Sequence, residues 1–373
     1  MVNPLLSIII PTKDRYSTLF PVVDMILAYN LNSQIEIVIQ DNSTDNEEAQ
    51  NFIQSKLGFK NLKYFYEASP LSVIANSDKA VLNSTGDYIC FIGDDDGVMP
   101  NIVAVTKWMK ENGFKVLKSY KPDYYWPGQK SNYFDGHTSG VLQFVKWKST
   151  SFSIMSTRKG LENTLSKGGN SIRLLPCLYH GIVKRCVLDL IYEKAGSYFP
   201  GPSPDMANAV ALTQVIDYFV YVNYPVCITG KSNKSTGGAG VLHQHVSTID
   251  NVNHLPSETS KNWDTRIPKY WTGPTIWAES VLKALEKFGN RIDIQEFNFT
   301  YLYAWLGVFH RRDLSVILKG FPLVKDWKYY LYFYSILFYR VQVFLQNRFI
   351  KKVKIHNVEN IKDAVSILKE VSY

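Results

Sequence analysis

Tyr88-Ile-Cys-Phe-Ile-Gly-Asp-Asp-Asp-Gly-Val98 decides how this chain is read. A β-branched and aromatic run of strand character ends in three adjacent carboxylates, Asp94, Asp95 and Asp96, followed by Gly97. Adjacent carboxylates repel one another, and the end of a buried strand screens that repulsion poorly. A cation shares such a site. The simplest candidate is a divalent metal with hard oxygen ligands, facing a phosphorylated substrate. The competing reading is a solvated acidic turn that caps the next helix, which three aspartates directly after an apolar run disfavour.

Upstream, Leu5–Ile10 and Ile35–Gln40 read as buried strands, each ended by a polar turn: Pro11-Thr-Lys-Asp-Arg15 and Asp41-Asn-Ser43. Leu62–Tyr66 is a third strand and Tyr88–Ile92 the fourth, with helical patterns over 17–30, 45–57 and 71–83 between them. After the aspartates, Pro100 opens a helix ending near Asn112-Gly113, and Lys115–Tyr120 returns as a strand. Such alternation gives βαβ units and a mainly parallel sheet. Ligands in these sheets bind beyond the carboxyl ends of the strands, so the three polar sets converge on one edge. From Tyr124 to Asn170 the pattern weakens. Tyr221–Thr229 reads as one further strand, and from Pro256 the chain is helical and aromatic.

At 373 residues with 46% hydrophobic and 14% aromatic content, the chain has room for a catalytic domain with a sizeable core plus an appendage. Cys90, Cys177, Cys186 and Cys227 are widely spaced with no CxxC pair, which points to a reducing, cytoplasmic setting without disulfides or a zinc site. Leu5–Ile10 runs into Pro11 with no small-residue cleavage site, so it reads as a strand and not as a signal peptide. The net charge of +8 is concentrated between 291 and 354, where 11 Lys/Arg face four Asp/Glu.

Three stretches in this order, Ser7-Ile-Ile-Ile-Pro-Thr-Lys-Asp-Arg15, Ile37-Val-Ile-Gln-Asp-Asn-Ser43 and Gly86-Asp-Tyr-Ile-Cys-Phe-Ile-Gly-Asp-Asp-Asp96, resemble bacterial glycosyltransferases of family 2, of surface-polysaccharide type. The resemblance covers about the first 120 residues and implies an α/β GT-A fold: a mainly parallel central sheet flanked by helices, with a C-terminal helical region. It implies a catalytic domain over 1–250, divided into a nucleotide-binding half (1–120) and an acceptor half (121–250). Residues 256–373 would form the helical, aromatic and basic C-terminal region. The implied activity is that of an inverting, metal-dependent hexosyltransferase. It would move a sugar from a nucleotide-sugar, a UDP-sugar, to a hydroxyl of a lipid-linked O-antigen or capsule glycan.

Carried over residue by residue, Pro11, Thr12 and Arg15 match the nucleotide-contacting turn, and Asp41 matches the acidic residue that binds the base, usually uracil. Asp78 stands where a further polar nucleotide contact is often found. Asp94 and Asp96 would be the DxD pair holding Mn²⁺ or Mg²⁺, with Asp95 beside the donor. Gly93 occupies the place where the family often has its first aspartate, so the frames Asp94/Asp96 and Asp95/Asp96 both stay open. His245, or else His243, after the glycine-rich 235–240 loop would complete the metal sphere. Lys231 and Lys234 flank that loop as candidate phosphate contacts.

An inverting transferase also needs a base for the acceptor hydroxyl. Asp205, in Ser203-Pro-Asp205 before an Ala-rich helix, reads alone as an N-cap. The resemblance makes it the catalytic base; separately, Tyr179-His180 is a candidate acceptor-side contact. Two other readings remain. Asp94-Asp-Asp-Gly-Val98 also fits the motif of an aspartyl-phosphate phosphohydrolase, although such motifs follow the first strand and this one follows the fourth. The non-enzyme alternative is a transferase-like scaffold at the membrane.

The tail holds ten aromatics between Trp327 and Phe349, followed by Lys351-Lys-Val-Lys354. Its longest uncharged run, Tyr329–Tyr339, has 11 residues and is too short to span a bilayer. It reads either as a helical subdomain packed on the catalytic domain or a partner subunit, or as an interfacial helix over 327–354, placing the protein peripherally on the inner face of the cell membrane. Nothing resembles a nucleic-acid recognition motif.

Overall fold

The computed structural model describes residues 3–31, 34–129, 139–147, 150–233, 247–252, 254–319, 321, 326–349 and 352–371. β1 (Leu6–Thr12), α1 (Tyr16–Leu27), β2 (Ile35–Asp41), α2 (Glu47–Gln54), β3 (Leu62–Tyr66), α3 (Val73–Leu82) and β4 (Tyr88–Phe91) alternate as the sequence predicts. A two-residue strand β5 (Gly97–Val98) follows the aspartates, then α4 (Ile102–Glu111) and β6 (Val116–Tyr120). The weakly patterned stretch holds the short strands β7 (Asp123–Tyr125), β8 (Val141–Phe144) and β9 (Phe152–Ser156). After these come α5 (Thr157–Ser166), β10 (Gly181–Lys184), α6 (Arg185–Ala195) and α7 (Pro204–Thr213). Next are β11 (Tyr218–Pro225), β12 (Cys227–Lys231), β13 (Ser247–Thr248) and β14 (Tyr270–Trp271). The C-terminal part runs through α8 (Gly273–Lys287), α9 (Arg291–Gln295), α10 (Phe299–Phe309), α11 (Leu314–Ile317) and α12 (Trp327–Phe349) to β15 (Val353–Ile355) and α13 (Ile361–Val371).

The central sheet has eight strands in the order β3-β2-β1-β4-β10-β6-β11-β9. β1 through β4 pair in parallel, β10 is inserted antiparallel between β4 and β6, and β11 returns parallel to β6. This is the α/β sheet flanked by helices that a GT-A domain implies. Both of its faces are covered, which explains the unbroken apolar runs. Leu6, Ile8 and Ile10 pack with Leu19, Val22 and Ile26 of α1 on one face, while Ile9 packs with Ala80 and Val81 of α3 on the other. All four cysteines are free thiols, and the buried Cys90 and Cys227 sulfurs lie 3.8 Å apart.

Two expectations change. The strand expected over 221–229 is two strands in different sheets. Pro225 has no N–H to donate and the pairing register shifts before it, so β11 ends there and β12 joins a five-stranded sheet, β15-β8-β7-β12-β5. The C-terminal region is not uniformly a separate helical appendage either. β15 pairs with β8, and α13 lays Ile361, Ala364, Val365 and Leu368 into the main core beside α1. Their spacing of three and four residues is the helical period that makes such a stripe. Helices α8 to α10 instead form a second core with α5 and α7.

Candidate functional site

The carboxyl ends of β1, β2 and β4 meet, as the sheet order requires. At the end of β1, the Thr12 hydroxyl donates to Asp94 Oδ2 at 2.6 Å, and Arg15 Nη2 lies 2.9 Å from Asp94 Oδ1. The β1 and β2 turns are laced together, with the Asn42 amide donating to the Thr12 carbonyl and the Asp14 amide to the Ser43 hydroxyl. Pro11 stands in register with Gln40 of β2, one step before that junction.

The three aspartates are buried and face different partners. Burial pushes the Asp94 carboxyl up to about 7; Asp95 and Asp96 add to that, while Arg15 and Thr12 pull it back. Asp95 is also raised, mainly by burial and then by Asp96, although the Ser232 amide and hydroxyl both donate to its Oδ2. Asp96 differs. Its Oδ1 accepts from the Gly230 amide at 2.7 Å; its Oδ2 accepts from the Gly93 amide at 2.6 Å and the Tyr179 hydroxyl at 2.9 Å, with His180 Nε2 at 2.6 Å. Burial works against the Asp96 charge, yet His180 and the two amides hold its carboxyl below the usual range.

His180 is buried and lies in the left-handed region at φ 60°. Its Nδ1 is 3.2 Å from Lys121 Nζ. An ammonium only donates, so Nδ1 accepts and the ring proton sits on Nε2, facing Asp96. Burial lowers the His180 pKa, in keeping with a neutral ring. Tyr179 and His180, expected on the acceptor side, are thus the side chains that clamp Asp96.

Two glycines make this clamp possible. A Cβ on Gly93 would lie 2.9 Å from Asp96 Oδ2 and 3.0 Å from the Tyr179 hydroxyl. That contact explains why glycine stands at the first acidic position of the family pattern. A Cβ on Gly230 would sit 1.7 Å from the Asp95 carbonyl oxygen. Gly230 and Ser232 were not found from the sequence; their only signal was the end of a strand just before a glycine-rich loop.

Asp41 lies within this turn cluster, but its oxygens are taken internally. Oδ2 accepts from the Tyr16 and Tyr64 hydroxyls at 2.6 and 2.7 Å, and Oδ1 from the Ser43 amide. Asp78 is likewise engaged, by the Ser197 hydroxyl and the Tyr198 amide, which ties α3 to the loop before α7. Asp205 opens α7, where Oδ1 accepts from the Met206 amide and the Ser203 hydroxyl. Lys231 Nζ is 2.9 Å from Asp123 Oδ1 and lies over the Tyr125 ring. Lys234, His243 and His245 lie outside the described residues.

The donor set suits a cation at Asp94 and Asp95. Both are raised buried carboxylates, and Asp94 Oδ1 is engaged by the Arg15 ion pair without a hydrogen bond among the described residues. Asp96 suits one less, because both of its oxygens already have donors. Among the described residues no group of three His, Cys, Asp or Glu is arranged around a common metal position.

A family description, Glycosyl transferase family 2, matches residues 7–158, which include β1, β2, β4 and all three aspartates. The putative colanic acid biosynthesis glycosyl transferase WcaA of Escherichia coli K12 is 27% identical over 127 residues, 34% of this chain and 45% of that protein. The protein y4gI of Sinorhizobium fredii is 28% identical over 135 residues, 36% of this chain and 14% of that protein. The chain thus matches less than half the length of either curated relative. Among solved structures, S. aureus TarS 1–349 in complex with UDP-GlcNAc has a TM-score of 0.48 at 13% identity, covering 88% of this chain and 78% of that one. The mannosyltransferase PcManGT from Pyrobaculum calidifontis, in complex with GDP-Man and Mn²⁺, has a TM-score of 0.40 at 13% identity, covering 89% and 84%. Through residues 7–158, with the aspartate-bearing strand at their centre, the chain is similar to glycosyl transferase family 2.

Proposed function

We propose that this protein is an inverting glycosyltransferase that moves a hexosyl group from a UDP-sugar to a hydroxyl of a growing, lipid-linked surface glycan. The observation that carries the reading is the Arg15–Asp94–Thr12 junction beside Asp95, at the carboxyl ends of β1 and β4 within the family-matched segment. The colanic acid relative supports a glycan acceptor. No residue in the described site favours the phosphohydrolase reading.

In the proposed reaction, Asp205 accepts the proton of the acceptor hydroxyl. The hydroxyl oxygen attacks the anomeric carbon from the side opposite the nucleotide, and the bond from that carbon to the diphosphate breaks. The electron pair of that bond leaves on the diphosphate, and the new glycosidic bond has inverted configuration. Asp94 and Asp95 would hold the divalent cation, Mn²⁺ or Mg²⁺, whose chemistry there is to neutralise the leaving diphosphate. Arg15 holds a fixed positive charge beside Asp94 and stabilises the same build-up of negative charge. Asp96 acts as the clamp that fixes the loop bearing Asp94 and Asp95. Pro11, Thr12 and the Asp41 turn frame the nucleotide side.

The test is a thermal-shift panel of nucleotides with and without Mn²⁺, because a ligand of the native state raises its unfolding temperature. A metal-dependent shift selective for UDP is expected. Stabilisation by phosphate mimics with none from any nucleotide would overturn the reading.

A further inference from the structure

Among its described side chains, helix α12 is packed on one side only. Tyr329 and Ile336 are buried against α10, with Tyr332 and Phe333 beside them. The opposite side is built by alternating steps of four and three residues, which keep to one helical face. It presents Trp327, Leu331, Tyr334, Phe338, Val341 and Leu345, each between 47% and 69% exposed. A contiguous exposed apolar stripe of this kind marks an interaction surface, unlike scattered single residues.

Charge identifies the partner. Between residues 327 and 358 the sequence has Lys328, Arg340, Arg348, Lys351, Lys352 and Lys354 and no Asp or Glu. Two copies of the chain meeting through this face would oppose like charges, whereas an anionic surface would be attracted. The aromatic residues agree. Trp327 and Tyr334 join an apolar ring to a polar N–H or O–H, which suits the boundary between hydrocarbon and headgroups. No helix among the described residues is long and apolar enough to cross a membrane, so contact along the surface is the geometry on offer.

We propose that α12 is a docking helix for an anionic phospholipid surface. The Trp327–Leu345 stripe enters the acyl boundary, and the flanking cations lie among the headgroups. The inference stands apart from the transferase reading, since binding is measured without turnover.

The experiment is sedimentation of the full chain with phosphatidylcholine vesicles, with and without phosphatidylglycerol. Binding is expected only when phosphatidylglycerol is present, and it should weaken as salt approaches about 0.5 M. The double variant Trp327→Ser/Phe338→Ser should lose about tenfold or more in vesicle affinity, its unfolding temperature staying that of the wild type because both side chains are exposed. Lys352→Glu/Lys354→Glu should abolish the preference for phosphatidylglycerol. Wild-type protein left in the supernatant with anionic vesicles would overturn the proposal, as would undiminished binding by the serine variant. Self-association in sedimentation velocity, lost in that same variant, would reassign the face to a second copy and overturn it too.

Discussion

Arg15 and Asp94 meet at 2.9 Å although 79 positions separate them in the chain, because β1 and β4 are parallel neighbours. The contact sets a fixed positive charge against a buried carboxylate that Asp95 and Asp96 also repel. Arg15→Ala should therefore leave Asp94 undercompensated. Since the arginine is partly exposed, a loss of about 2–3 kcal/mol is expected in urea unfolding at pH 8. Near pH 5 the loss should shrink, because Asp94, raised to about 7, is then protonated in the folded state. Equal losses at both pH values would contradict this assignment.

Gly93→Ala tests the clamp on Asp96. The new methyl would lie 2.9 Å from Asp96 Oδ2, so that carboxylate and Tyr179 must shift together. A destabilisation of about 1–3 kcal/mol is expected from such overpacking. Gly93→Asp should cost more, because it adds a fourth carboxylate to the cluster. An unchanged denaturation midpoint for Gly93→Ala would show that the clamp is slack.

Glu279 on α8 gives a pH dependence that can be separated from the site. It is 1% exposed, and burial pushes it up to about 7 against the partial compensation of Lys283. A folded-state value above the unfolded one adds stability below the unfolded value, and that stability is lost as pH rises through the folded value. Glu279 should therefore make the protein less stable from about pH 4.5 to 7, by up to roughly 3 kcal/mol for that difference. Glu279→Gln should reduce this slope by the Glu279 share, leaving the part due to Asp94, read from unfolding at a series of pH values.

Asp78→Asn distinguishes a nucleotide contact from a packing tie. Its oxygens accept from Ser197 and Tyr198, which an asparagine can satisfy only in part. The variant should unfold at lower temperature and bind UDP with unchanged affinity. Weaker UDP binding by a protein of unchanged stability would return Asp78 to the nucleotide site.

The first half of the fold was legible because buried parallel strands write themselves as apolar runs separated by helical periods. Convergence of Thr12, Arg15 and Asp94 followed from that topology. The partners of Asp95 and Asp96 were not legible. Ser232, Gly230, Tyr179 and His180 come from 83 to 137 positions away, and short strands such as β10 leave too few residues to show a period. The return of β15 and α13 to the main core was hidden for a similar reason. A three-residue strand has no detectable alternation, although the stripe Ile361, Ala364, Val365 and Leu368 was readable as an amphipathic helix. For Asp41 and Asp78, the sequence does not show that hydroxyls and amides already occupy their oxygens.

The proposed role of Asp205 as the base of a glycosyl transfer is measured by UDP release from a panel of UDP-sugars with a bacterial lipid extract as acceptor. Wild type and Asp205→Asn are compared, with UDP affinity measured in parallel. Acceptor-dependent release by the wild type is expected, lowered about 10²–10⁴-fold in the variant at unchanged UDP affinity. Equal release by both proteins would contradict it.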